Sequence, residues 1–419
     1  MHSLFATLLV SLVFLDVAVQ PAAADRLTLP QLIAAALRDN KDLQAARFAT
    51  AQARARLVQA GVLPNPHLEL ANKNDALFKN EGEYTASIGF TQQFPVAGRI
   101  GRQKEVARVD IDLATAEIRE AEWKLAGDVA NGFYGALVLG RQVEARDRLI
   151  DFDQQLVDVA RRRLAAAEVS EIDVTTAQID LGRVRQERAL LLSDRATQIS
   201  HLNVLLGRTA KQPLSLDETL STSEAFPALA ELQRRALERR PDLRSAILKA
   251  DRARADTKLA LSERWEDWTL GLGVESSRSV IEGAPPQPST NQLALSLSIP
   301  LPLADNKKGR IDETLASGQQ AVAQIAALRH SIGNEVASDL AEVKRLQDAT
   351  LDYQRTLIPM TERSLSLVQR SYSQGQLTIT EVVQAARQQS DLNVAYLNTL
   401  NLYLQAVAKL RTVTGEYLK

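Results

Sequence analysis

The sequence predicts a mainly α-helical protein with a membrane β-barrel, in which long coiled-coil helices accompany four transmembrane strands per chain. Three observations favour this fold class. One pattern occurs twice along the 419 residues, long proline-free stretches carry helical spacing, and four short segments alternate apolar with polar residues.

The composition excludes several other classes of protein. The chain has 50 Lys and Arg against 51 Asp and Glu, no Cys, and 45% hydrophobic residues. Disordered chains contain fewer apolar residues, nucleic-acid binders are usually basic, and disulfide scaffolds need Cys. We therefore expect a folded protein that has no nucleic acid as a partner.

Residues 1–24 are expected to be a secretory signal peptide. The apolar run from Leu4 to Val19 is short for a membrane span, and Pro21-Ala22-Ala23-Ala24 matches the small-residue pattern of a cleavage site. A retained membrane anchor is the alternative, because no Lys or Arg precedes the run. Cleavage after Ala24 would remove Asp16, change the net charge from -1 to 0, and leave an exported protein.

The chain is a duplication whose copies lie about 200 residues apart. We expect a first repeat at residues 25–208, a linker at 209–226 and a second repeat at 227–419. Solenoids and propellers are excluded, because their units are about 20 to 50 residues long. The repeat is visible where Leu32, Ala36, Leu37, Asp42, Leu43 and Ala53 recur as Leu232, Ala236, Leu237, Asp242, Leu243 and Ala253.

Proline placement predicts long helices. No Pro lies between Pro95 and Pro213, between Pro302 and Pro359, or after Pro359, and Pro breaks the interior of a helix. Within these stretches apolar residues follow the 4-3 spacing of a coiled-coil seam. The seam residues are Ile111, Ala114, Ile118, Ala121 and Leu125, and later Leu392, Tyr396, Thr399, Tyr403, Ala406, Leu410 and Val413.

Each repeat also contains a predicted hairpin, at about residues 67–93 and 268–299, in which apolar and polar residues alternate. Strands of roughly 9 to 11 residues are long enough to cross a bilayer when tilted. A small hairpin packed on a helix is the alternative for any single strand, but four matching strands in an exported chain favour the membrane. The predicted lipid-facing residues are Ile88, Phe90, Leu293, Leu295 and Leu297.

Four strands cannot close a barrel. An open sheet edge in lipid leaves backbone groups without hydrogen bonds, at a cost of several kcal/mol each. Several copies of the chain are therefore expected to share one barrel.

Motifs at the ends of the hairpins carry a family resemblance. They are Leu63-Pro64-Asn65-Pro66 before the first strand, and Phe94 to Arg99 and Ile299 to Leu303 at the two strand exits. With these motifs and the duplication, the mature chain resembles the TolC-type outer-membrane efflux proteins. The two exits most resemble the heavy-metal, cobalt-zinc-cadmium, branch of resistance-nodulation-division systems.

The resemblance implies a homotrimer whose 12-stranded barrel continues as an α-helical barrel into the periplasm. It implies a passive duct, held in outer-membrane lipid, that works with a periplasmic adaptor and an inner-membrane pump. A secreted periplasmic coiled-coil scaffold or adaptor without a pore is the alternative, since long helices alone would suffice for it. An extracytoplasmic hydrolase is a third possibility.

The resemblance also implies a gate where each long helix pair turns at its periplasmic tip. The expected gate residues are Asp173, Tyr372, Glu381 and Gln384. The family carries a second acid where this chain has Gln384, and an Arg where it has Leu377. The tips expected to contact the adaptor comprise Glu168, Val169, Ser170, Gly375, Gln376 and Leu377.

The sequence offers no catalytic constellation. His67, His201 and His330 are far apart, and no zinc-protease, nucleotide-binding or serine-hydrolase motif occurs. We therefore expect no enzyme activity, no cofactor and no metal site. The Arg161-Arg162-Arg163 run is expected to lie on an exposed helix face.

Overall fold

The computed structural model describes residues 26–77, 81–216, 225–281, 283–285 and 287–417. The predicted signal peptide lies outside the described residues, as do residues 217–224 of the predicted linker. The elements are α1 (Leu29–Asp39), α2 (Lys41–Gln59), β1 (His67–Asn74), β2 (Tyr84–Phe94), α3 (Arg99–Ala165), α4 (Glu171–Leu205), α5 (Leu229–Arg239), α6 (Pro241–Ser262), β3 (Trp268–Arg278), β4 (Thr290–Ser298), α7 (Lys308–Asp352), a π-helical turn (Tyr353–Leu357), α8 (Ile358–Ser373) and α9 (Ile379–Val413).

The same order of elements occurs twice. Two shorter helices lead into a hairpin, and the hairpin leads into a long helix that turns back into a second one. Helix α3 has 67 residues and is therefore about 100 Å long. It packs along α4, α6 and α9, so both copies contribute to one bundle.

The long helix of the second copy continues through Pro359, where the sequence suggested an interruption. The turn before this proline widens to a π-helix, in which the Ile358 N–H donates to the Tyr353 carbonyl. Pro359 has no N–H for the carbonyl of Arg355, and its ring crowds that carbonyl. A single wide turn accommodates both effects, and the helix resumes as α8.

The four strands form one antiparallel sheet in the order β1-β2-β3-β4. Strands β2 and β3 pair directly, so the sheet joins the two copies. The alternation predicts strands at residues 67–72, 84–93, 268–276 and 293–299. Most strands are longer in the structure: β1 extends to Asn74, β3 to Arg278, and β4 begins at Thr290. Backbone pairing with the neighbouring strand holds these polar ends in the sheet, since Asn74 pairs with Tyr84 and Ser277 pairs with Thr290.

Two apolar clusters hold the helices together. The larger one lies midway along the bundle and joins α1, α3, α4, α5, α7 and α9 around Phe133, Leu202, Ile332 and Tyr403. The smaller, which we call the tip cluster, lies beside the turns between the long helices. Its buried members are Leu156, Val157, Ala160, Val174, Ala177, Leu181, Tyr372, Ile379, Val382 and Val383.

Candidate functional site

One face of the sheet is apolar across all four strands. Cross-strand partners share a face, and the register pairs Phe90 with Leu272 and Leu272 with Leu295. The predicted lipid-facing residues all lie on this face, and each side chain is more than half exposed. The face comprises Leu68, Leu70, Ile88, Phe90, Leu270, Leu272, Val274, Leu293, Leu295 and Leu297.

The opposite face of the sheet is polar and has small side chains. The Thr91 hydroxyl donates to Glu69 Oε1 at 2.9 Å, and Ser87 pairs with Glu275. At the centre, where the copies meet, Gly89 pairs with Gly273. A Cβ on Gly89 would approach the Gly273 Cα to 3.3 Å, so glycine permits the close contact between β2 and β3. The sheet therefore has one apolar face and one polar face.

The two tip turns are built alike. Helix α3 ends at Ala165 and α4 begins at Glu171, while α8 ends at Ser373 and α9 begins at Ile379. Each turn contains one residue in the left-handed region, Ala167 with φ 57° and Gly375 with φ 75°. Such a residue reverses the chain direction at the end of a helix. The two turns therefore lie at the predicted tip residues, which are Glu168, Val169 and Ser170 in the first copy and Gly375, Gln376 and Leu377 in the second.

Each tip also carries a carboxylate at the third position of its second helix. Glu381 Oε2 accepts hydrogen bonds from the Thr378 N–H at 2.7 Å and from the Thr378 hydroxyl at 2.9 Å. Asp173 Oδ2 accepts the equivalent bonds from Ser170. The bonds from Thr378 lower the pKa of Glu381, so this exposed carboxylate carries its charge at neutral pH.

The predicted gate residues occupy separate environments within the chain. Tyr372 is buried in the tip cluster, whereas Glu381 and Gln384 are exposed one turn apart. Tyr372 and Asp173 share no hydrogen bond in the part of the chain that the structure describes, because Asp173 is bonded to Ser170. The predicted adaptor-contacting residues lie in or beside the turns: Glu168, Ser170, Gly375 and Gln376 are exposed, and Val169 and Leu377 are half-buried.

Arg163 is a residue of this region that the sequence analysis did not assign to the gate. Its guanidinium lies over the Tyr372 ring, 4.5 Å from the ring centroid, and its Nη2 donates to the Tyr372 carbonyl at 3.4 Å. The prediction of an exposed arginine run is thus right for Arg161 and Arg162 but wrong for Arg163. A cation over an aromatic ring stabilises both groups, and here it joins α3 to α8.

A buried charged layer, which no sequence pattern indicated, lies next to the tip cluster. Asp180 on α4 is 1% exposed and accepts hydrogen bonds from Arg387 on α9. Arg183 also pairs with Asp180, at 3.3 Å. Asp153 on α3 is 2% exposed. Burial, and next the negative charge of Asp180, raise the pKa of Asp153 to about 7.

Among the described residues, no group of three or more His, Cys, Asp or Glu side chains is arranged to hold a metal ion. Within the same ranges, no helix combines the length and the apolar character needed to cross a membrane.

The sequence was compared with models of known protein families. The model described as outer membrane efflux protein matches residues 32–208 and again residues 232–416. The chain belongs to this family. The paired match follows the duplication, one match to each copy.

Individual relatives agree with this assignment. The cobalt-zinc-cadmium resistance protein CzcC of Cupriavidus metallidurans is 23% identical over 94% of this chain and 91% of its own length. The cation efflux system protein CusC of Escherichia coli K12 is 23% identical over 89% of this chain and 84% of its own length. A crystal structure of CusC superposes with a TM-score of 0.74 at 19% identity, over 94% of this chain and 93% of the other.

Membership of the family establishes what the protein does and in which membrane it lies. The protein is an outer-membrane efflux channel, with a large helical part in the periplasm. The predicted fold class, mainly helical with strands that contribute to a membrane barrel, is confirmed. Efflux channels are not enzymes, and the family works in tripartite systems with an adaptor and an inner-membrane pump.

Proposed function

We propose that this protein is the passive outer-membrane duct of a tripartite system that exports heavy-metal cations. The two-faced sheet carries the proposal for the duct, because its apolar face is exposed on all four strands and its polar face can line a wet channel. Two relatives named for cobalt-zinc-cadmium resistance and cation efflux favour metal cations as the cargo.

Three chains would complete the barrel. Strand β1 and strand β4 are the two edges of the sheet, and an unpaired edge is costly in lipid. If β4 of one chain pairs with β1 of the next chain, three chains give 12 strands and no unpaired edge. The proposed repeats remain residues 25–208 and 227–419, with a linker at 209–226, and the long helices of three copies would form the periplasmic barrel.

The tips form the proposed gate and the proposed contact with the adaptor. In a trimer the three copies of Glu381 would make one ring of carboxylates. Gln384 stands where the family has a second acid, so the ring would have no charged ring beside it. Tyr372 of the second repeat and Asp173 of the first repeat are proposed to form a latch of the gate, without the charged partner that Leu377 replaces. One ring binds cations more weakly than two stacked rings would.

A deletion strain tests the proposal. Loss of the gene should raise cellular cobalt, zinc and cadmium and lower tolerance to these ions, and the full chain supplied in trans should restore both. Unchanged metal tolerance with lowered tolerance to organic compounds would contradict heavy-metal cations as the exported substrate. It would not contradict the proposed role as a duct. The absence of any export phenotype, together with no ion conductance from the purified protein in planar bilayers, would overturn the duct.

A further inference from the structure

The tip cluster is separated from the main core by polar side chains buried between α3, α4 and α9. A small apolar group lies in this part of the bundle: Leu149, Val184 and Ala386 are buried, and Ile150, Phe152 and Leu365 are half-buried against them. Beside it, Arg146 donates to the Ser390 hydroxyl and lies 3.2 Å from Glu187. Asp153 and Asp180 lie nearer the tip. A layer of buried charges is held together less firmly than an apolar core, because each charge must keep its partners.

Asp153 is the member of this layer without a partner. Neither of its carboxylate oxygens has a hydrogen-bond partner in the described chain, although the side chain is 2% exposed. Asp180 on the facing helix also has one free buried oxygen, Oδ2, while its Oδ1 accepts from Arg387. A buried carboxylate that lacks hydrogen bonds is strongly unfavourable when ionised.

The surrounding charges do not relieve Asp153. Asp153 interacts electrostatically with Asp180 and Arg183 on α4 and with Arg387 on α9. Arg387 in turn interacts with the negative charge of Asp391. Both arginines bond to Asp180 rather than to Asp153, and their side chains are 45% and 36% exposed, so water screens them. The same two cations disfavour a metal ion between the carboxylates. A proton is the ligand that fits.

We propose that Asp153 is a proton-operated joint between the tip cluster and the rest of the helical bundle. When protonated, Asp153 lets α4 and α9 pack against α3 and keeps the tip closed. When ionised, it repels Asp180, competes for Arg387 and admits water into the layer, so the tip helices separate and the duct opens. The proposal rests on the proposed function as a gated duct.

Protonation of Asp153 changes in the range that a periplasmic protein meets. Its pKa of about 7 lies well above the ordinary value for a carboxyl group. If opening hydrates Asp153 and lowers its pKa by one unit, the opening equilibrium rises about tenfold across the titration.

The experiment measures the open fraction of single channels in planar bilayers from about pH 5.5 to about pH 8.5. Three full-length proteins are compared: the wild type, Asp153→Asn, and Asp151→Asn as a matched control on the exposed face of α3. The wild type and Asp151→Asn should open more as pH rises, by about tenfold with a midpoint near 7. Asp153→Asn keeps the shape of a neutral Asp and should stay at the low, acid-side value throughout.

A pH response in Asp153→Asn equal to that of the wild type would overturn the joint. So would a wild-type channel without pH dependence. Both results leave the duct itself intact, because the channel conducts. If no variant conducts, amide hydrogen exchange still decides, once the intrinsic rise of amide exchange with pH is divided out. The protection of residues 150–160 and 379–390 should fall from acid to alkaline pH in the wild type and stay constant in Asp153→Asn, and equal protection profiles would overturn the proposal.

Discussion

Asp173 and Glu381 hold the same position in the two copies of the repeat. Each is the third residue of the helix that follows a tip turn, and each carboxylate accepts hydrogen bonds from the N–H and hydroxyl of the residue that caps the helix. Carboxylates are favoured there by the N–H groups at the start of the helix. One residue can thus both cap a helix and place a negative charge at the tip of the long helix pair.

The two roles of Glu381 are separable by substitution. Glu381→Gln removes the charge but keeps an oxygen that can accept the hydrogen bonds of Thr378, since Gln serves in the same capping arrangement. We expect this variant to weaken the block of single channels by multivalent cations and to leave the fold unchanged. Glu381→Ala removes the charge and the cap together, and should weaken the block equally while loosening the tip.

The control for this experiment is Asp173→Asn. It should leave cation block close to the wild-type level if the ring of Glu381 is the binding site. Cation block that is unchanged in Glu381→Gln would remove Glu381 from the pore and leave it as a capping residue alone.

The pKa of Asp153 predicts how stability depends on pH. The folded protein holds the Asp153 proton up to a pKa of about 7, whereas the unfolded chain releases it near 3.8. The contribution of protonated Asp153 to the free energy of unfolding is therefore fully present below about pH 4 and is lost as the pH rises towards 7. In guanidinium unfolding, the free energy of unfolding of Asp153→Asn should increase relative to that of the wild type as the pH rises over this range, by at most about 4 kcal/mol. A constant difference between the two proteins at all pH values would contradict the shifted pKa.

The residues in the left-handed region predict opposite effects at the two tips. Ala167→Gly should stabilise the first tip by about 1 kcal/mol, because Ala is strained at a φ of 57° and Gly is not. Gly375→Ala should destabilise the second tip by about the same amount, and only through its backbone, since a Cβ there meets no atom within 4 Å. Unfolding midpoints of the two variants measure this, and shifts of the same sign would contradict it.

A charge on the apolar face of the sheet should impair assembly. Leu295→Arg places a cation at the middle of a strand on the proposed lipid face, at a cost of about 2 to 4 kcal/mol. Ser296→Arg, one residue along on the polar face, is the matched control and should cost much less. The amount of oligomer that survives detergent without heating measures the difference. Equal loss in both variants would argue against a lipid face.

Most of the fold could be predicted from local patterns. Alternation in β2 and β4 located the sheet, and the 4-3 apolar spacing within proline-free stretches located the long helices, because both patterns repeat every few residues. Strand ends such as Asn74 and Ser277 were missed because backbone pairing, rather than side-chain polarity, holds them in the sheet. The helix through Pro359 was missed because one π-helical turn absorbs the proline.

The site was harder to predict, since its contacts join distant parts of the chain. Asp153, Asp180 and Arg387 each look like ordinary charged residues on long helices, and only the packing of α3 between α4 and α9 buries the two carboxylates and brings Arg387 beside them. Arg163 was placed on an exposed face because two other arginines precede it, whereas the turn of the helix directs it onto Tyr372. Periodicity identifies which face of a helix is buried but not which charges meet there.

Cysteine labelling of the sheet tests the central claim most directly. The chain has no Cys, so single variants Leu295→Cys and Ser296→Cys each carry one reactive group. In outer membranes, a membrane-impermeant maleimide should label the position of Ser296, which faces a wet lumen, and leave the position of Leu295 largely unlabelled. A lipid-soluble probe should show the reverse preference. Equal aqueous labelling at both positions would contradict the barrel, and with it the duct.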